Sequence, residues 1–346
     1  MVIVGHRGPE VQVRSIDWVD DHVVLLDQTR LPREELWLAV TTVDELVDAI
    51  RRLAVRGAPL LGAAGALGVL LAVQEANQAG WDDATLHAAT TRLRAARPTA
   101  VNLARGVDRV MARLPDGPTA VKDEALRVLA EDGEVNRAVG ATGAQLLIDL
   151  VDIDRLRIYT HCNAGALACV EWGTALGVVH SLSALGRLGS VYVGETRPLL
   201  QGSRLTAWEL ERLGADYQIV VDAAGPGVIA SGMVDAVVVG ADRVAANGDV
   251  VNKVGTFPLA LAAARVGVPF VVAAPESTVD TETLSGADVP IELRSQDEVL
   301  TISELRIAPT GARGLNPAFD VTPADLVTAL VTERRVVRPA VGETPA

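Results

Sequence analysis

The stretch VDAVVVGADRVAANGDVVNKVGTF, residues 234–257, decides how the rest of the chain is read. Val237, Val238 and Val239 form a short β-branched run, as in a strand buried on both faces of a parallel sheet. The run ends at Gly240 and Ala241 and delivers Asp242 and Arg243. Open α/β sheets bind their ligands at the carboxyl ends of such strands. Asn247-Gly248-Asp249 predicts a tight turn, after which Asn252 and Lys253 lead into an apolar helix over 258–266. A carboxylate at a strand tip, with an amide and an ammonium following it, suits an anionic substrate. An ordinary strand–turn–helix, with Asp242 capping or pairing with Arg243, accounts equally well for this stretch alone.

The surrounding pattern extends this reading. Past residue 150, strands are expected at 157–160, 178–182, 190–194, 217–221, 236–239 and 269–273. Apolar helices are expected to begin near Gly165, Gln201, Ala224 and Pro258. That alternation predicts a doubly wound parallel sheet. No GxGxxG follows the first strand, so the dinucleotide fingerprint is missing. Two further strands end in polar groups on the same rim. One runs into Thr160-His161-Cys162-Asn163-Ala164-Gly165, where a cysteine between strand tip and helix start would have a lowered pKa and serve in proton transfer. A buried, inert thiol is the commoner state of a free cysteine, and Cys169, inside the expected helix, is read as inert. The other runs into Glu195, Arg197, Gln201 and Arg204, a set suited to a polyol or phosphate. A Glu195–Arg197 pair holding the loop is the structural alternative.

Residues 1–120 are expected to form a smaller, mainly helical domain with some short strands, of which 22–27 is the clearest. Residues 121–150 are a connecting helix and 151–346 the parallel-sheet domain. Thr42 and Glu45 make a capping box for a helix to about residue 53. Pro59 suits the first turn of the next helix, which sets Arg56, Gly57 and Ala58 at an N-terminus that favours anions. Gly62, Gly65 and Gly68 fall three apart as a small-residue ridge for close helix packing. Further helices are expected at 83–96 and 101–114, with Arg97 between them.

Composition sets the outer limits. At 346 residues with a formal net charge of −13, the chain has the size of two domains and lacks the basic surface of a nucleic-acid binder. A few local Arg and Lys still hold a phosphate whatever the net charge. Cys162 and Cys169 match no zinc spacing and make no disulfide framework, which points to a reducing cytoplasm. The N-terminus has no signal-peptide pattern, and the apolar run at 60–73, about 14 residues, is too short to span a bilayer. A soluble cytoplasmic protein with no membrane partner is expected. The polar tail from residue 336 is expected to be loosely ordered.

With these blocks in view, the chain resembles the S-methyl-5-thioribose-1-phosphate isomerases of methionine salvage. The matching stretches are VVLLDQTRLP, VRGAPLLG, RPTAVNLA, THCNAGALA, GETRPLLQGSRLTAWEL, VVGADRVAANGDVVNKVGTFPLA, VPFVVAAPEST and NPAFDVTPADLVTALVTE, in order over most of the sequence. The resemblance implies a Rossmann-like C-terminal domain and a smaller, mainly helical N-terminal one. It implies aldose–ketose isomerisation of methylthioribose 1-phosphate to methylthioribulose 1-phosphate with no metal and no cofactor, in a homodimer. Carried over position by position, it makes Cys162 and Asp242 the catalytic pair. Arg56, Gly57, Ala58, Arg97, Gln201, Asn252 and Lys253 become the substrate contacts. A carboxyl kept neutral by an apolar pocket at Asp242 would protonate the ring oxygen, and Cys162 would serve an enediol route, with a direct hydride shift as the competing course. Leu199, Leu293 and Glu276 depart from the usual pattern, which bears on the 5-substituent rather than on the reaction. The rivals are isomerisation of 5-deoxyribose 1-phosphate or ribose 1,5-bisphosphate, and a non-catalytic regulatory subunit like those of the eukaryotic initiation-factor exchange complex.

Overall fold

The computed structural model describes residues 2–4, 13–97, 101–302 and 305–346. The chain forms two compact units, one of Met1–Arg137 with Gly165–Gly173, the other of Ala138–Ala164 with Thr174–Ala346. The first boundary falls inside the helix Pro118–Leu150.

In the first unit, an antiparallel sheet orders Val2–Val4, Trp37–Val40, His22–Leu26 and Ile16–Val19. The helix Val43–Arg51 begins at Thr42, whose hydroxyl accepts from Glu45 N at 3.2 Å. Glu45 does not close the expected box on Thr42; its carboxylate accepts from Thr41 N at 2.9 Å, one residue earlier. The apolar run at 60–73 proves to be part of a helix of 22 residues, Ala58–Ala79. That helix is long and apolar enough to cross a membrane, but 72% of its most apolar window is buried inside the protein, as in a core helix. Its Leu60, Leu61, Leu67 and Leu71 share a core with Leu103, Val107 and Val110.

Asp132, in the long helix, fastens the returning Gly165–Gly173 segment to this unit. Its Oδ2 accepts from Val170 N at 2.7 Å and from Asn136 Nδ2 at 2.9 Å. Ser15 Oγ donates to Cys169 O at 2.6 Å, and Arg137 pairs with Glu171 at 2.9 Å. Burial pushes the Asp132 carboxyl up to about 7 and the nearby Glu171 charge adds to this, while the Val170 amide pulls the other way. Between the unfolded carboxylate range and about 7 the folded chain keeps a proton that the unfolded chain has lost, so stability falls as pH rises through that window. Asp132→Asn removes this titration. Its stability relative to the parent is therefore expected to rise between pH 4 and pH 7, by a few kcal/mol at most at about 1.4 kcal/mol per unit of pKa difference. Urea unfolding of both proteins across that range checks this; parallel stability curves would refute it.

In the second unit, the described residues build a seven-stranded sheet. From edge to edge it runs Val336–Val337, Ala329–Val331, Phe270–Ala273, Ala236–Val239, Leu156–His161, Leu188–Gly194 and Tyr217–Val220. All neighbours are parallel except Val336–Val337, which is antiparallel to Ala329–Val331. The chain starts in the middle at Leu156–His161, builds outward through Leu188–Gly194 to Tyr217–Val220, then returns to add Ala236–Val239 on the other side. The order therefore reverses between Leu156–His161 and Ala236–Val239, which is where doubly wound sheets open a ligand crevice.

Several expectations are corrected here. Residues 178–182 are not a strand but lie in the helix Ala175–Ala184, with Val178, Val179 and Leu182 all buried. A short apolar run buried all round has no periodicity that separates helix from strand. No helix begins at Gly165; only a short turn at Ala166–Ala168 follows, and Cys169 is buried in a loop. Val250–Lys253 is a strand of a second sheet with Arg243–Ala245, Val279–Asp280 and Phe319–Thr322, so the Asn247-Gly248 turn closes a hairpin. The tail is not loose where it begins, since Val336 pairs with Val331 and Val337 with Leu330. Of the departures from the usual pattern, Leu293 is exposed, and Glu276 accepts from Arg335 Nε at 2.9 Å and Thr332 Oγ1 at 2.8 Å.

Candidate functional site

Three strand ends lie side by side on one rim of the second unit, because Ala236–Val239, Leu156–His161 and Leu188–Gly194 are consecutive and parallel. Cys162 follows the middle strand and Asp242 follows its neighbour, one on each side of the topological switch. The two tips approach closely, for a Cβ built on Gly240 would stand 2.8 Å from the Ala164 Cβ. Only glycine permits that contact.

Cys162 is buried and adopts φ 58°, the left-handed region, which costs a non-glycine residue roughly 1 kcal/mol or more. Its backbone is held at both ends. The Cys162 N–H donates to Gly194 O at 3.3 Å, and its carbonyl accepts from Thr206 Oγ1 at 2.5 Å. Asn163 Nδ2 in turn donates to Thr206 Oγ1 at 3.1 Å and to Glu209 Oε1 at 2.7 Å. All four of these side chains are buried. The helix start expected beside Cys162 is absent there, since the next α-helix opens at Ala175.

Asp242 N–H donates to Val251 O at 3.0 Å, which sets the residue at the mouth of the hairpin carrying Asn252 and Lys253. Arg243 does not pair with it but reaches Asp280 at 3.1 Å. The apolar pocket expected around Asp242 is corrected, because the residue is exposed. Asn252 is buried with Nδ2 on Thr256 Oγ1 at 3.0 Å, and Lys253 Nζ stands 4.9 Å from the Phe319 ring centroid.

The third tip is organised by Glu195, which is buried and does not pair with Arg197. Its carboxylate accepts from Thr196 N, Gly202 N and Ser203 N, each at 2.9 Å, and from the Ser203 hydroxyl. These bonds fold the loop so that Gln201 is buried, with Oε1 lacking a hydrogen-bond partner among the described residues. A buried acceptor left open in this way is what a substrate hydroxyl would satisfy. Arg197 is spent on the Val299 and Thr301 carbonyls at 3.0 and 2.9 Å, and Arg204 donates to Leu199 O at 2.9 Å.

The remaining expected contacts belong to the first unit. Gly57 has φ 98°, and a Cβ there would come within 2.6 Å of the Ala168 Cα, so glycine is obligatory. It caps the helix that begins at Ala58, without a side-chain bond to the first amides. Arg56 Nε donates to Gln28 Oε1 at 3.1 Å, and Gln28 Nε2 donates to Leu167 O at 2.7 Å, which fixes the guanidinium at the helix entry. Arg97 is half-buried just after the helix Asp83–Arg94; Pro98, Thr99 and Ala100 of the same block lie outside the described residues.

Three residues of the second unit's rim carry no signal in the local sequence. Thr206 and Glu209 sit in the quoted LTAWEL block but carry no chemistry on their own. Asp320 accepts from Gly255 N at 2.7 Å and Phe257 N at 3.2 Å at the head of the helix Thr256–Val266, and burial pushes its carboxyl up to about 6.

A bifunctional methylthioribose-1-phosphate isomerase/methylthioribulose-1-phosphate dehydratase of Nocardia farcinica, described as probable, is 50% identical over 96% of this chain, which spans 60% of that protein. A methylthioribose-1-phosphate isomerase of an Anaeromyxobacter species is 51% identical, with 92% of each chain covered. Among solved structures, the 5-methylthioribose 1-phosphate isomerase of Pyrococcus horikoshii is 39% identical with a TM-score of 0.85, covering 94% of this chain and 92% of its own. A protein of A. fulgidus titled translation initiation factor eIF-2B subunit delta is 43% identical with a TM-score of 0.82, covering 94% and 96%. Residues 54–339 match the model of the Initiation factor 2 subunit family, and the chain belongs to that family.

Proposed function

We propose that the chain is an aldose–ketose isomerase converting S-methyl-5-thioribose 1-phosphate to S-methyl-5-thioribulose 1-phosphate in methionine salvage. The observation that carries this reading is the placement of Cys162 and Asp242 on adjacent strand tips either side of the topological switch. The names of the isomerase relatives, which this chain matches along nearly its whole length, support it.

The phosphate on C1 locks the sugar as a ring. Asp242, protonated, donates to the ring oxygen as the bond from C1 to that oxygen breaks. Hydrogen then passes from C2 to C1 while the C2 hydroxyl loses its proton and becomes the ketone. In an enediol course Cys162, as thiolate, removes the C2 proton and a proton is returned at C1. In a direct shift the hydrogen carries its electron pair across. Arg56, Gly57, Ala58 and Arg97 serve as substrate contacts, the first three offering a guanidinium and the N-terminus of the helix Ala58–Ala79 to the phosphate. Gln201, Asn252 and Lys253 serve as contacts for the sugar. A Rossmann-like C-terminal domain, a smaller helical N-terminal domain, a cytoplasmic location and a homodimer belong to the same proposal.

The second reading, a non-catalytic subunit, is favoured by the eIF-2B title of one similar structure. Phosphorus and proton NMR with methylthioribose 1-phosphate, 5-deoxyribose 1-phosphate and ribose 1,5-bisphosphate in parallel separates the two. Ketose should form fastest from the thio-sugar. Faster turnover of another sugar moves the substrate, and folded protein that turns over none of the three establishes the binding subunit instead.

A further inference from the structure

We infer that Thr206, together with Asn163 and Glu209, is a positioning set that holds Cys162 in its left-handed conformation and ties it to the segment bearing Gln201. The inference rests on the reading of Cys162 as the acid/base of the reaction.

A cysteine at φ 58° does not stay there by its own preference. Strained backbone of this kind persists only where the surroundings over-determine it, and it gathers at working sites. Here the determinant is visible. The Thr206 hydroxyl has one proton, and it is given to the Cys162 carbonyl at 2.5 Å. Its oxygen is left to accept, and it takes one proton of the Asn163 amide at 3.1 Å. The Asn163 Nδ2 bond to Glu209 Oε1 at 2.7 Å fixes that amide's orientation. The residue after the cysteine and the carbonyl of the cysteine itself are thus gripped by one polar cluster that is closed to water.

The cluster is not placed by an ordinary helix. Gly202–Thr206 winds as a π-helical segment before regular α-helix resumes at Ala207–Leu213. Such insertions rotate the following side chains relative to an α-helix and are frequent at functional sites. Glu195 pins the start of the segment through Gly202 N and Ser203 N. Gln201 is the residue immediately before it, so one short segment carries a proposed substrate contact at its head and the Cys162 brace at its end. Thr206 has no exposed surface and touches no substrate; it acts through the cysteine.

The test compares Thr206→Val, which keeps the shape and deletes the hydroxyl, with Thr206→Ser, which restores it. Thr206→Ala makes the same deletion without a second branch if valine is not accommodated. For the thio-sugar phosphate, kcat is expected to fall about 10- to 100-fold in the valine variant with KM changed by less than about 3-fold, as misplacement of a reacting group predicts. Serine should return most of the loss. Independently of turnover, iodoacetamide labelling followed by mass spectrometry should show Cys162 modified at least about fivefold faster in the valine variant, with the buried Cys169 unchanged as the internal control. Unchanged labelling of Cys162 overturns the inference, and so does equal acceleration of both cysteines, which reports general loosening. Wild-type turnover by Cys162→Ala would defeat the catalytic reading alone, because the labelling result judges the brace separately.

Discussion

Asp242→Asn and Cys162→Ala are each expected to lower kcat/KM for methylthioribose 1-phosphate by about a hundred- to ten-thousand-fold, the range that a positioned proton donor or acceptor supplies. Both substitutions should leave the fold in place. Asp242 is exposed and enters the hairpin through its backbone N–H, which asparagine keeps. Cys162 is anchored through its own N–H and carbonyl, which alanine also keeps. The loss should fall on kcat more than on KM, since the phosphate is assigned to groups outside this pair. Running the active protein in deuterium oxide then separates the two courses of hydrogen transfer. Deuterium appearing at C1 of the ketose marks exchange through an enediol, while its absence marks a direct shift. An Asp242→Asn protein with parental turnover would remove the proposed ring-opening acid.

Much of this rim was legible because strand ends and glycines carry local signals. The Val237–Val239 run, its Gly240 and the Asn247-Gly248 turn are each dictated by short-range sterics, and the structure places a strand, a close approach and a hairpin turn there. What could not be read were features decided at a distance. Val178, Val179 and Leu182 look like strand residues until the helix Ala175–Ala184 buries them on every side. Val250–Lys253 becomes a strand only because Phe319–Thr322, far along the chain, pairs with it. The bracing of Cys162 needs Thr206 and Glu209, whose meaning appears only once a π-helical turn has set them against Asn163. The expected apolar pocket at Asp242 came from the chemistry wanted of it, and local sequence had no means of showing that the residue is exposed.

Gly106→Ala is expected to be among the most damaging single substitutions in the first unit. The helices Ala58–Ala79 and Val101–Met111 cross so closely that a Cβ at Gly106 would lie 2.0 Å from the Gly62 carbonyl oxygen. The obstacle is backbone, with no rotamer to move aside, so the helices must separate. Leu60, Leu61 and Leu67 would then part from Leu103, Val107 and Val110 across the core. Overpacking a tight core costs about 1–3 kcal/mol, and a backbone collision belongs at or beyond the upper end. The ridge glycines should follow in a graded order. At Gly65 a Cβ meets the Leu103 carbonyl oxygen at 2.6 Å, again backbone, so alanine should cost nearly as much. At Gly68 the nearest atom is Leu93 Cδ2 at 2.4 Å, the tip of a side chain that can turn away, so the cost should be smaller. At Gly62 the nearest atom is Asn102 O at 3.4 Å, an ordinary contact. There alanine should be neutral or stabilising by about 0.5–1 kcal/mol through its better helix propensity. Urea midpoints of the four variants check the series. The regular spacing of Gly62, Gly65 and Gly68 suggests one common ridge, yet the geometry ranks them by whether backbone or side chain stands opposite. A flat series, or Gly62→Ala as the worst of the four, would show that the helices do not cross at Gly106.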